Sequence, residues 1–127
     1  MHKYLNIICK GRMIPDDVMP YYYVASDIAL IQRKEILNSG NLPMALMMGK
    51  VVVGPNTGNV GTWLKDIDNP TFDILDLTSI KLALECAYQK SNQGFGKLNK
   101  EYAYNNLSTS TIANQYVKLY FDIYNRK

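Results

Sequence analysis

Between Asp27 and Gly61 the chain passes twice from a short apolar, β-branched run into a loop of small polar residues. Ile28 to Ile31 leads through charge into Asn38-Ser39-Gly40-Asn41. The helix-like segment Leu42 to Met48 is stopped by Gly49-Lys50, and Val51 to Val53 leads into Pro55-Asn56-Thr57-Gly58-Asn59-Val60-Gly61. Strand, loop, helix, strand, loop is the alternation of a parallel sheet with crossover helices. Loops that follow strands gather at one edge of such a sheet, where ligands bind.

The rest of the chain extends the same order. Tyr4 to Cys9 reads as a strand ending at Lys10-Gly11, and Pro15-Asp16-Asp17 opens a helix carrying Val18, Met19, Tyr22, Tyr23 and Ala25. Pro20 is a first-turn residue or marks a restart, and Ser26-Asp27 closes this helix, with Asp27 capping backbone groups rather than doing chemistry. Thr62 to Lys65 reads as a short helix, Asp66 to Pro70 as a turn, and Thr71 to Leu75 as a short edge strand. A helix over Ile80 to Ala87 is capped by Thr78 or Ser79, and Ser91 to Gly96 is a loop. A further helix spans Lys97 to Leu107. Ser108-Thr109-Ser110 caps a last one, about 109–125, with Ile112, Tyr116, Leu119, Tyr120 and Ile123 on one face.

The expectation is a single α/β domain over 1–127: a Rossmann-like three-layer α/β/α parallel sheet of three or four strands. At 127 residues there is room for one core, and 47% hydrophobic against 20% charged residues is the balance of a globular protein. A net charge of +3 without a basic, aromatic-interleaved block argues against nucleic acid. Cys9 and Cys86 lack metal-ligand spacing and read as buried free thiols of a reducing compartment. Without a signal-peptide run or a span of about 20 apolar residues, the expected location is cytoplasmic, or peripheral to the inner membrane face.

In the first loop, the N–H groups of Asn38, Ser39, Gly40, Asn41 and Leu42 stand at a helix start and are candidates to hold a phosphate. A plain strand-to-helix turn favours the same residue types. Arg33 and Lys34 follow the strand, and Arg33 is the candidate cation. In the second loop, Thr57 and Asn59 carry side-chain donors and Gly58 permits backbone approach, for a ligand or for turn chemistry alone. Met44, Met47 and Met48 read as core filling. His2 stands at the terminus, and neither a Ser/His/Asp arrangement nor a metal cluster is legible.

The linked order of Pro-Asp-Asp, Tyr-Tyr, Ala-Ser-Asp, Asn-Ser-Gly and Gly-Lys-Val-Val-Val-Gly-Pro resembles the C-terminal half of retaining glycosyltransferases of the two-Rossmann-domain (GT-B) type. The resemblance runs from Gly11 to the aromatic final helix. It implies an incomplete GT-B C-terminal domain that binds a nucleotide-diphosphate sugar for transfer to a glycan or polysaccharide acceptor, with no metal or other cofactor. It also implies that Met13 and Ile14 edge the nucleotide base. In many relatives the loop begins with a glutamate and the helix carries a second, seven residues between them; here those places hold Ile36 and Met44. Glu35, one residue away, is a weak catalytic candidate. Acceptor contacts and the usual Arg/Lys clamp would belong to a missing N-terminal half, without which little or no transfer is expected. Two rivals stand beside this reading: a non-catalytic binding or assembly module docking through its tyrosine-rich last helix, and a different sugar-nucleotide enzyme such as an epimerase. An open sheet edge would be covered by a second copy, as a homo-oligomer, or by the absent half.

Overall fold

The computed structural model describes Gly11 and residues 13–126. The strand expected over Tyr4 to Cys9, with His2 and Lys10, lies outside them. The described chain runs α1 (Met19–Ala25), β1 (Ile28–Leu30), α2 (Asn41–Met47), β2 (Val51–Pro55), α3 (Gly58–Asp66), β3 (Thr71–Phe72), α4 (Leu77–Asn92), α5 (Gly96–Leu107) and α6 (Thr109–Tyr124). The strands form a small open parallel sheet in the order β1-β2-β3. Among the described residues β1 has a neighbour on one side only.

β2 is the axis of the molecule, and its composition explains why. Val51, Val52 and Val53 are almost fully buried, each contributing about 1.5–3 kcal/mol, and strands covered on both faces read as continuous apolar runs. Val52 joins Leu42, Leu46, Val60, Leu64 and Ala103 on one face, under α2, α3 and α5. Val51 and Val53 join Phe72, Ala83 and Ala87 on the other, under α4. The expected layering, with helices on both faces of a parallel sheet, is therefore present. Among the described residues, no helix is long and apolar enough to cross a membrane.

Several boundaries differ from the expected ones, each for a local reason. The second loop is shorter than its glycines imply, because Gly58 and Gly61 belong to α3. A Cβ on Gly61 would lie 2.3 Å from the Asn56 carbonyl carbon, so the glycine is there to bring helix and strand end together. β3 stops at Phe72 because Asp73 turns the chain: its Oδ1 accepts from Leu75 N–H, and its own N–H donates to Ser79 Oγ at 2.9 Å. The cap of α4 is Asp76, accepting from Thr78 N–H at 2.8 Å, rather than Thr78 or Ser79. α4 also continues to Asn92, leaving Gln93 to Phe95 as connection. Ahead of α1, residues 15–18 form a turn in which Val18 N–H donates to Pro15 O, so the helix starts at Met19 with Pro20 in its first turn. At its other end Ser26, not Asp27, supplies the side-chain bond, its hydroxyl donating to Tyr23 O at 2.9 Å.

Three helices end in the same way. After α2, α3 and α4 the chain closes with a 6→1 and a 5→2 hydrogen bond, as in Lys50 N–H to Ala45 O and Gly49 N–H to Leu46 O. The left-handed residue of each closure is Gly49 (φ 68°), Asp68 (φ 55°) and Gly94 (φ 79°). Met44 and Met47 are 38% and 40% exposed and Met48 is half-buried, while Leu42, Ala45 and Leu46 fill the core, so the methionines stand at its margin rather than filling it. α6 begins as expected, with Ser108 Oγ accepting from Thr111 N–H at 3.3 Å. Its apolar face is exposed, Tyr120 at 68% and Phe121 at 62%, and the helix has no buried residue.

Candidate functional site

Because β1 and β2 are parallel, the segments leaving Ile31 and Pro55 emerge on the same side of the sheet. The first crosses from residue 32 to 40 without regular structure and enters α2 at Gly40. Its hollow is a cavity of about 400 Å³ whose lining includes Arg33, Ile36, Asn38, Ser39, Gly40 and Asn41. A second recess of about 850 Å³ adjoins it and shares Leu30, Ile31, Arg33 and Asn41. Its far wall is apolar and aromatic, built by Met13, Ile14, Met19, Tyr22 and Tyr23. Burial pushes the Tyr23 phenol above the ordinary tyrosine value.

The electrostatic character is one-sided. Among the described residues lining the two recesses Arg33 is the cation and no carboxylate is present. The N–H groups of Ser39, Gly40 and Asn41 have no backbone acceptor among the described residues. A guanidinium beside free amides can take an anion in the polar recess, and the apolar wall can take a flat group. α2 itself has 7 residues, so its end charge is modest and the cation carries more of the field.

The residues expected at the site do not all reach it. Arg33, Asn38, Ser39, Gly40 and Asn41, with Met13 and Ile14, come together on the two recesses. Leu42 does not: its side chain is fully buried and its N–H donates to Ser39 O at 3.3 Å, so it closes the turn. Glu35 is exposed and lines neither recess. Thr57, Gly58 and Asn59 also stay out of both linings, and Gly58 and Asn59 brace the first loop from behind. Asn59 N–H donates to Leu37 O at 3.0 Å and Asn59 Nδ2 donates to Asn38 Oδ1 at 3.0 Å. Ile36, in the place of the expected acid, lines the cavity while packing against the core.

Tyr22 and Tyr23 were legible only as helix-face residues; their place on the recess follows from where α1 docks beside β1. Comparison with protein-family models, with curated proteins and with solved structures finds no match. Among the described residues no group of His, Cys, Asp or Glu could hold a metal ion.

Proposed function

We infer that this chain binds a nucleoside diphosphate, and that it is the donor-binding part of a GT-B glycosyltransferase acting on a nucleotide-diphosphate sugar. One observation carries the reading. A polar recess with Arg33 and the free amides of residues 39–41 opens, at the carboxyl ends of parallel strands, into an apolar recess walled by Met13, Ile14 and Tyr23. The first has the chemistry for a diphosphate and the second for a base. The glycan or polysaccharide acceptor would be met by residues outside these recesses.

Calorimetric titration with uridine diphosphate and guanosine diphosphate tests it. Saturable binding to one of them is expected, weakened in Gly40→Ala. Gly40 has no heavy atom within 4 Å of an added Cβ, so the methyl leaves the fold intact and intrudes only on a ligand. Absence of heat with either nucleotide would sink the reading.

A second reading, a non-catalytic assembly module, is favoured by α6. Apolar side chains from Ile112 to Tyr124 cover more than half of its circumference at about 3.6 residues per turn, and they are not buried. Self-association or partner capture lost on Tyr120→Lys, in a protein that binds neither nucleotide, would establish that role.

A further inference from the structure

We propose that Asn59 is a positioning residue for the anion cavity, acting on a bound ligand through Asn38 rather than by touching it. The inference rests on the nucleotide reading above and assigns a role to a residue outside both linings. The segment 32–38 makes few bonds of its own. Among the described residues, its hydrogen bonds are the two from Asn59: N–H to Leu37 O and Nδ2 to Asn38 Oδ1, each 3.0 Å. These bonds grip the residues directly ahead of Ser39 and Gly40.

Gly58 makes the grip close. It sits at φ 61°, and a Cβ there would lie 2.2 Å from the Ile36 carbonyl oxygen, so the start of α3 rests directly on the loop backbone. α3 is in turn anchored by Val60 and Leu64, which are almost fully buried against β2. Asn59 thus couples an irregular cavity wall to the rigid core. A wall held in its binding shape before the ligand arrives spares the ordering cost at the moment of binding. The Asn59 side chain, which invites a direct ligand role in the sequence, is replaced in that role by the loop it supports.

The test is a double-mutant cycle on uridine diphosphate binding: wild type, Asn59→Ala, Asn38→Ala and the double variant. The Asn59–Asn38 bond is exposed, so Asn59→Ala leaves Tm within a few degrees yet weakens binding about tenfold, the effect of one lost hydrogen bond plus loop ordering. In the Asn38→Ala background the same substitution adds nothing further. Unchanged binding in Asn59→Ala, or the same loss with and without Asn38, would overturn the proposal while leaving the nucleotide reading standing. A wild type that binds no nucleotide defeats that reading instead, and a ligand-free measurement then decides the positioning role. The backbone amide of residue 59, which donates to Leu37 O, is expected to exchange about tenfold faster relative to its intrinsic rate in Asn59→Ala, and unchanged exchange would refute it.

Discussion

Asn69 and Asn99 face one another inside the protein as a reciprocal amide pair. Asn69 Nδ2 donates to Asn99 Oδ1 at 2.8 Å, and Asn99 Nδ2 donates back to Asn69 Oδ1 at 2.9 Å. They are 5% and 2% exposed. The pair does the work of a strand: β3 joins β2 only at Gly54 and Pro55, and the Val52 N–H further back donates to Asn69 Oδ1 at 2.9 Å. Asn99 Nδ2 also reaches Lys50 O at 2.9 Å, tying α5 to the same strand. Among the described residues, no buried side-chain nitrogen or oxygen lacks a partner.

Asn99→Ala should therefore destabilise the protein by roughly 2–3 kcal/mol, because it leaves one Asn69 amide donor buried without a partner and removes the bond to the partly buried Lys50 carbonyl. Urea unfolding followed by circular dichroism measures it. A loss below about 0.5 kcal/mol, the scale of an ordinary surface substitution, would show that the pair carries no such load.

Gly96→Ala should cost about 3 kcal/mol or more. The new Cβ would lie 1.9 Å from the Gly49 carbonyl oxygen, and backbone on backbone can yield only by separating α5 from the α2 turn. Gly94→Ala supplies the contrast. It meets nothing within 4 Å but sits at φ 79°, so the left-handed backbone alone sets its cost, about 1–2 kcal/mol. Thermal melts of the two variants should rank in that order.

Arg33→Gln should weaken nucleotide binding by about tenfold or more, since it removes the cation shared by both recesses. Glu35→Gln should leave affinity unchanged within about twofold, its side chain lying outside both linings and solvated. Calorimetry on the two variants separates a cation-based site from one that depends on the loop acid.

Tyr23 sets an alkaline limit. Burial raises its pKa, so the folded state favours the neutral phenol. That contribution is complete below the ordinary tyrosine value of about 10 and is lost as pH rises through the higher folded-state value. Above about pH 10 the wild type should lose stability with pH more steeply than Tyr23→Phe. Parallel slopes for the two proteins in denaturant titrations would contradict this.

The identity and order of most elements were readable because their signals are local. The valines of β2, the Gly49 stop after α2, the Ser108 cap of α6 and the span of α5 each need only a few neighbours in sequence. The helix over Thr62 to Lys65 was read, but the first turn of α3 was hidden because Gly58 and Gly61 resemble loop residues when read in isolation. Their purpose is close approach to Ile36 and Asn56, partners supplied by the fold. Asp68 was equally unreadable, since an aspartate in the left-handed closure of α3 carries none of glycine's signal.

For the candidate site, the residue types of the first loop pointed to an anion, and four of them, Asn38 to Asn41, do line one cavity with Arg33 at its side. Which loop lines the cavity and which supports it was beyond any pattern. Asn59 and Asn38 carry the same amide, and only the path of α3 behind the loop turns one inward and makes the other its brace. Asn69 and Asn99, 30 residues apart, likewise read as ordinary polar positions until β3 proves to be only two residues long. Local chemistry in the sequence determined where strands, helices and turns form. Tertiary structure decided which polar groups are sealed from water, because burial depends on every element at once.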